Sequence, residues 1–504
     1  MIEVHNNLCK VRRSDNPDLL DILSKYLRIL DDSDKDNPVL QELFTINEDG
    51  DMLIPHGINQ FIPEEIPREY FETEEIPRDF SIDYDKIAHS FGEKIILRDD
   101  QIIAIRKMLM LRRGIIQAAT GMGKTEVMAG FLMALRDICG VIPTTIILEP
   151  TTLLVDSTVK RLNTYGVPAV AYSDSRRNVE GILVTHPSSL NNDLEKDPDL
   201  LSKLKVFLSD EGHHLQADSW NRLLRSSAAL EFSIALSASV VDPNRIPVQD
   251  LTKIDYQEAL VIGATGNVIM YTPPSFYIER GILATPVLYR ILNPADEWIR
   301  KQNDWQQIRK YRLESPRRTE LIAKIASFLA NLKFKSLILV GTKVHANQIL
   351  ELVDKYGLGE VCRCSFGGGV YLKYDSAKKS VVSCKGEDTM EGFESGKFRI
   401  LIGTSHIYEG ADIPNLDVII LSSVGKSLRK YIQGVGRGLR RSKTGKFAHI
   451  VDFTDHYDAV LSKHSRDRLQ MFQDVIGVSS SNIYESLSFR RFKEIFCRIE
   501  QVEF

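Results

Sequence analysis

From about residue 115 onward the chain alternates short runs of β-branched and apolar residues with longer stretches of helical periodicity. Apolar runs at Ile115-Ile116-Gln117-Ala118, Thr145 to Glu149, Ile182 to Thr185, Val206 to Ser209 and Ser233 to Leu236 predict strands. Helical patterns after Lys124 and from Leu153 to Tyr165 separate them. Strands that are apolar throughout and alternate with helices specify a parallel sheet covered on both faces. The pattern then repeats at Leu337 to Val340, Val361 to Cys364, Ile400 to Gly403, Val418 to Leu421 and Ala448 to Val451. The expectation is two α/β units of similar size. Pro273-Pro274 and Pro286 break the pattern where the first should end, with a linking region near residues 275–320.

The first ninety residues or so read differently. An acidic cluster, Asp31-Asp32-Ser33-Asp34-Lys35-Asp36, and a turn signal, Asn47-Glu48-Asp49-Gly50, suit a small α+β domain. Glu64-Glu65-Ile66-Pro67-Arg68 recurs ten residues later as Glu74-Glu75-Ile76-Pro77-Arg78. Proline at that frequency is excluded from a helix interior, so the repeat predicts an extended tether. At the other end, Phe489, Phe492 and Phe496 are spaced for an amphipathic helix packed on the second unit, although cations interleaved with aromatics also suit DNA contact.

At about 150 residues per domain, 504 residues allow roughly three domains. The 64 Lys+Arg against 68 Asp+Glu sum to a net charge of −4, which excludes a uniformly basic polyanion binder. The sum hides a local excess. Between Val418 and Val451 there is no Asp or Glu, yet Lys426, Arg429, Lys430, Arg437, Arg440, Arg441, Lys443 and Lys446 all fall there. Six cysteines are sparse. Cys362, Cys364 and Cys384 are one ligand short of a four-thiolate zinc site, so ordinary thiols are expected. The N-terminal residues lack a secretory pattern and no apolar run approaches the ~20 residues that span a bilayer, so the expected setting is a reducing cytoplasm with no membrane partner.

Candidate chemistry begins at Ala118-Ala119-Thr120-Gly121-Met122-Gly123-Lys124-Thr125, between a predicted strand and a predicted helix. Small residues let successive N–H groups face phosphate oxygens, and the helix start adds a favourable dipole. Lys124 would reach the β- and γ-phosphates and the Thr125 hydroxyl would ligate Mg²⁺. Ala118 stands where the usual pattern has its first glycine. Asp210-Glu211-Gly212-His213 follows the apolar run Val206 to Leu208, at the strand end where open α/β sheets bind ligands. Asp210 can hold Mg²⁺ through water and Glu211 can orient or deprotonate the attacking water. Together they specify an NTPase. In the second half, Gln433-Gly434-Val435-Gly436-Arg437-Gly438-Leu439-Arg440-Arg441 supplies cations for a γ-phosphate, with Arg441, Lys443 and Lys446 better suited to a nucleic-acid backbone. Thr404 can bond a strand phosphate, and Gly410 and Asp412 can reach the nucleotide.

The whole set resembles the superfamily 2 helicases and translocases. Ala119 to Thr125 looks like motif I, Asp210 to His213 like motif II in its DExH form, and Ser237-Ala238-Ser239 like motif III. Gly403-Thr404 through Asp412 looks like motif V, and Gln433 through Arg440 like motif VI, in order over roughly residues 95–455. Leu97-Arg98-Asp99-Asp100-Gln101 resembles the L-R-x-x-Q element whose glutamine reads adenine, so Gln101 implies ATP. Pro150-Thr151-Thr152 resembles motif Ia, Thr185-His186-Pro187-Ser188-Ser189-Leu190 the T-x-x-S-L element, and Val340-Gly341-Thr342 stands where motif IV lies. Ser239 replaces a threonine but keeps its hydroxyl. Within the superfamily the likeness is to the XPB-like and phage UvsW-like branch, whose front domain closes on a stretch similar to Leu53-Ile54-Pro55-His56-Gly57-Ile58.

This resemblance implies two RecA-like parallel-sheet domains in tandem after a small α+β domain. The implied boundaries are 1–90 (DNA recognition plus linker), 91–280 (ATP binding), 281–455 (arginine fingers) and 456–504 (helical extension). It implies ATP and Mg²⁺ as cofactors, with Thr120, Gly121, Met122, Gly123, Lys124, Thr125, Gly410 and Asp412 around the nucleotide. Lys124, Asp210, Glu211, Arg437 and Arg440 would be catalytic. Thr151, Thr152, Thr185, Thr342 and Thr404 would grip DNA that is forked or branched. The implied activity is 3′-to-5′ unwinding or branch migration in recombination, repair or replication, in a host cytoplasm if the source is a phage. A double-stranded DNA translocase or restriction-type motor without strand separation, and an RNA helicase, share these catalytic residues.

Overall fold

Short apolar runs with no polar face, bounded by turns, suit strands buried on both sides, and the computed structural model builds two such sheets. It describes residues 1–14, 17–31, 39–71, 74–91, 95–172, 180–293, 313–366, 370–404, 416–422, 447–455 and 459–502. Contacts divide the chain into two units, Met1–Thr272 and Pro273–Phe504.

The first unit opens with β1 (Ile2–Val4), β2 (Leu8–Val11), β3 (Arg28–Asp31), β4 (Val39–Glu42), β5 (Thr45–Ile46), β6 (Met52–Pro55) and β7 (Arg68–Tyr70). Five of these form a sheet in the order β5-β6-β2-β1-β7, while β3 and β4 make a separate hairpin. Helix α1 (Pro17–Tyr26) turns Leu19 and Leu23 inward, into one core with Val4, Val11, Met52 and Ile54. This is the expected α+β front.

The pentapeptide repeat is not the tether that its prolines suggest. Arg68 heads β7, which runs parallel to β1, and its guanidinium donates to the carbonyls of Asn59, Ile62, Pro63 and Ile66. In the second copy Ile76 is buried, and the N–H groups of Glu75 and Ile76 both donate to the Glu231 carboxylate at 3.1 Å. Arg112 then bonds both Glu231 and the Ile76 carbonyl. Proline forbids a helix here, but it leaves the neighbouring N–H groups free to find distant acceptors.

Next comes a seven-stranded sheet, with α2 (Tyr84–Ala88) and α3 (Asp99–Leu111) leading into it. Its strands are β8 (Arg113–Ala118), β9 (Thr145–Leu148), β10 (Ala169–Ala171), β11 (Ile182–Thr185), β12 (Val206–Asp210), β13 (Phe232–Ser237) and β14 (Val268–Thr272). The order is β10-β11-β9-β12-β13-β8-β14, every pair parallel. Helices α4 (Lys124–Cys139), α5 (Thr152–Thr164), α6 (Pro187–Leu194), α7 (Asp218–Arg225) and α8 (Tyr256–Thr265) connect the strands. The front sheet docks on α8 at Gly57. A Cβ there would stand 1.9 Å from the Ile262 carbonyl oxygen, so only glycine permits the approach.

After α9 (Pro274–Glu279), the second unit forms a nine-stranded sheet: β15 (Thr285–Leu292), β16 (Ser336–Leu339), β17 (Cys362–Phe366), β18 (Val370–Asp375), β19 (Ser380–Cys384), β20 (Ile400–Gly403), β21 (Val418–Leu421), β22 (Phe447–Thr454) and β23 (Ile483–Leu487). The order is β19-β18-β17-β20-β16-β21-β22-β15-β23, parallel except for the antiparallel β18 and β19. Pro286 does not end a unit. It is the second residue of β15, paired with Ala448, and β23 pairs only from Leu288 onward, so the proline stands where the ladder has one neighbour. The final helix, Phe489–Glu500, buries Phe492 and Phe496 completely against Tyr289 and His449. The chain is thus two RecA-like α/β domains in tandem behind an α+β front.

Candidate nucleotide site

The loop between β8 and α4 is built on glycine. Gly121 (φ 99°) and Gly123 (φ 76°) take left-handed conformations, and Gly123 caps α4, which begins at Lys124. The loop therefore presents a helix start at the carboxyl end of the sheet. Two strands away, β12 ends in Asp210, and Glu211 follows with φ 48°, a conformation costly for a residue with a side chain. That turn aims both carboxylates at the loop. Lys124 Nζ lies 3.0 Å from Glu211 Oε1 and 3.3 Å from Asp210 Oδ1, and the Glu211 N–H donates to Asp210 Oδ1 at 2.9 Å.

The charges are mutually tuned. Burial alone would disfavour the ammonium of Lys124, yet Asp210 and Glu211 hold its pKa well above the ordinary lysine value. Burial raises the Asp210 pKa, with Lys124 opposing, whereas Glu211 is held well below the carboxylate range by Lys124 and His213 despite its own burial. His213 Nδ1 stands 3.4 Å from Glu211 Oε2 and 3.2 Å from the Ser237 hydroxyl, which also accepts from the Ser239 N–H at 3.4 Å. The DExH histidine thus touches both the acid and the Ser237-Ala238-Ser239 turn.

The other predicted nucleotide residues cluster around the loop. Gln101 is buried, its Nε2 donating to the Met122 carbonyl at 2.8 Å and its Oε1 accepting from the Arg98 N–H. Arg98 donates to the Gly121 and Met122 carbonyls. Met122 itself is fully buried, so it meets this network through its backbone. Thr125 is half-buried at the second position of α4, and Thr120 Oγ1 is buried with no hydrogen-bond partner. A cation held only by carboxylates, beside an unpartnered hydroxyl and a helix start, fits a polyphosphate. Its oxygens would take Lys124 from the acids and release Asp210 for a metal.

The five threonines divide between the units, three in the first and two in the second. Thr151 caps α5, its hydroxyl accepting from the Leu154 N–H, and Thr152 beside it is exposed. Thr185 ends the neighbouring β11, but it is 1% exposed and its hydroxyl donates to the His186 carbonyl. In the second unit, Thr342 caps the helix Lys343–Lys355 and donates to Glu314, while Thr404 follows the adjacent β20. Gly410, Asp412, Arg437 and Arg440 lie outside the described residues. Cys362 and Cys364 are free thiols buried in β17, and burial pushes the Cys362 pKa up.

One neighbour of the site, named so far only as the end of a predicted strand, is a carboxylate. Glu149 follows β9, whose Leu148 pairs with Ser209, so it stands beside Asp210 in the sheet. It is fully buried, Thr158 donates to its Oε1 at 2.6 Å, and Oε2 has no partner. Its signal is a carboxylate closing an otherwise apolar run, directly before Pro150.

A phosphate loop facing paired carboxylates on a parallel sheet, followed later in the chain by a second sheet of the same kind, defines a nucleotide-driven motor. Residues 94–241 match the family model described as type III restriction enzyme, res subunit, and residues 320–442 match the helicase conserved C-terminal domain. The chain belongs to the superfamily 2 helicases. It is 22% identical over 394 residues to a DNA 3'-5' translocase XPB2 of Sulfurisphaera tokodaii, covering 74% of this chain and 85% of that protein. Two solved structures share its fold. A putative HsdR subunit fragment of a type I restriction enzyme from Vibrio vulnificus YJ016 has a TM-score of 0.56 at 17% identity, covering 81% of this chain and 71% of that one. Dbp5 of S. cerevisiae, bound to RNA and ADP BeF3, has a TM-score of 0.52 at 16% identity, covering 80% and 97%. Among the described residues no helix is long and apolar enough to cross a membrane.

Proposed function

We propose that the chain is an ATP-driven DNA helicase or translocase that unwinds or branch-migrates forked and four-way DNA. The observation that carries the ATPase reading is the buried Lys124–Asp210–Glu211 cluster at the head of α4. In this reading Lys124 leaves the carboxylates for the β- and γ-phosphates when ATP enters, and the N–H groups from Gly121 to Thr125 cradle the same oxygens. Glu211, kept ionised by Lys124 and His213, orients and deprotonates the attacking water. Thr125 and Asp210 would hold Mg²⁺, which neutralises phosphate charge when bound. The resemblance assigns Gly410 and Asp412 to the nucleotide, and gives Arg437 and Arg440 the charge that builds on the γ-phosphate.

DNA is favoured by the likeness to a relative named as a DNA translocase along most of both chains. The likeness to the UvsW-like and XPB-like branch supports branched substrates, 3′-to-5′ movement and a role in recombination, repair or replication. Thr151, Thr152, Thr185, Thr342 and Thr404 are the assigned backbone grips. Thr185 requires a local rearrangement to expose its hydroxyl. The test is ATPase stimulation by single-stranded DNA, forked DNA and RNA, followed by strand separation on a four-way junction. Branched DNA should stimulate most, and the junction should move. Preference for RNA would make this an RNA helicase, and ATPase without junction movement would make it a translocating motor.

A further inference from the structure

Glu126 lies in the first turn of α4, two residues beyond Lys124, and is 7% exposed. Its Oε1 is taken by the Arg161 guanidinium and the Tyr165 hydroxyl. Tyr165 is itself fixed edge-on against the Phe91 ring, with centroids 5.0 Å apart. Oε2 is buried and has no hydrogen-bond partner. A bare, buried carboxylate oxygen is costly, and one cation on the opposite oxygen offsets only part of that cost.

Where this oxygen points is set by Gly123. A Cβ added there would stand 2.7 Å from Glu126 Oε2 and 2.6 Å from Gln101 Nε2, so the two polar atoms are no farther apart than the sum of those distances. Lys124 instead reaches Asp210 and Glu211. The loop thus has a cationic flank for phosphate and a second flank where an amide and a carboxylate converge. Gln101 is already engaged on both its polar atoms by Arg98 and Met122. That leaves Glu126 Oε2 as the unclaimed acceptor on this flank. A carboxylate accepts only, so the complementary ligand group is an N–H donor.

We propose that Glu126 is a second base-reading residue, which accepts a hydrogen bond from the 6-amino group of adenine and rejects 6-oxo purines. The inference rests on the ATPase reading and deepens it. Adenine carries two exocyclic N–H donors, whereas hypoxanthine and guanine turn a carbonyl oxygen to the same place and meet the carboxylate with like partial charge. Discrimination of this kind is strong because the wrong base leaves a buried polar group unpaired.

The experiment compares hydrolysis of ATP and inosine triphosphate by the full chain, and by the Glu126→Gln and Glu126→Ala variants. The native chain should show a KM for inosine triphosphate at least tenfold above that for ATP. Glu126→Gln, whose amide can turn its N–H to the 6-oxo group, should narrow that ratio fivefold or more. Glu126→Ala should fall between, since it removes the repulsion without adding a donor. A merely structural Glu126 would change KM for both nucleotides alike and leave the ratio still, which overturns the proposal. So does a native chain that uses both nucleotides equally, an outcome that needs no variant to fold. A native chain that hydrolyses neither removes the ATPase reading itself.

Discussion

Each α/β unit buries acids beside cations, and the two arrangements are built differently. In the first, Lys124 faces Asp210 and Glu211 with His213 beside Glu211, and Thr120 Oγ1 and Glu149 Oε2 are buried nearby without hydrogen-bond partners among the described residues. In the second, Arg318 donates twice to the Ser422 carbonyl, at 2.7 and 3.1 Å, and also to Asp455, which takes a further bond from Asn293. Arg468 and Arg290 flank Asp452, with Arg468 also on the Phe453 carbonyl and Arg290 on Ser465 and Glu485. A guanidinium spreads five fixed donors over several acceptors, whereas an ammonium is a movable point charge. Unpartnered atoms do not separate the two, since Arg290 Nε, Asn293 Oδ1 and Asp452 Oδ2 are likewise buried without hydrogen-bond partners in the second. The cation separates them: fixed guanidinium forks hold the second, whereas the first rests on an ammonium that a ligand can draw away.

The comparison breaks most visibly at Lys124. Lys124→Ala should lower hydrolysis by at least 10²–10³-fold, because a clamp on transferring charge is worth several kcal/mol. Steady-state turnover measures it, and near-normal rates would remove the cluster from catalysis. The corresponding cut in the second unit should act on stability. Arg318 is 1% exposed, and Arg318→Ala leaves Asp455 with a single side-chain partner among the described residues, Asn293, a change costing about 3–5 kcal/mol. Denaturant unfolding followed through the second unit should show it. A loss below about 1 kcal/mol would mean that this network is no more structural than the first.

The strands were legible because their signal is local. Every apolar run named from the sequence forms a strand, since a continuous β-branched segment bounded by turns has few alternatives. What escaped was set by contacts distant in sequence. Ala169–Ala171 is three residues long, and its neighbour β11 makes it a strand. The hairpin of β18 and β19 has no fully buried face to mark it. The two pentapeptide copies are identical, yet Arg68 is gathered into backbone carbonyls while Arg78 pairs with Glu74 on the surface. Glu231, more than 150 residues away, decides the fate of the second copy. For the site, Lys124, Asp210 and Glu211 were readable because phosphate chemistry fixes their spacing. Glu149 and Glu126 were not, because each looks ordinary until the sheet and α4 bring it beside the others.

Glu149 gives the finest test of how far the first cluster is left unbalanced. Burial, and then the charge of Asp210, push its carboxyl well above the ordinary value, against the Thr158 hydroxyl and Lys124. A folded pKa raised above the unfolded one means that the native state holds the proton more tightly. The associated stability is complete below the ordinary carboxylate range and is lost as pH rises through the raised value. Glu149→Gln fixes the neutral form and keeps an oxygen for Thr158. Its thermal midpoint should match the native chain in acid and exceed it increasingly toward alkaline pH, by about 2–4 °C for a gain near 1 kcal/mol in a unit of this size. Melting curves across that range decide the matter. A constant offset between the two proteins would show that Glu149 carries no proton of its own, and that Lys124 balances all three acids.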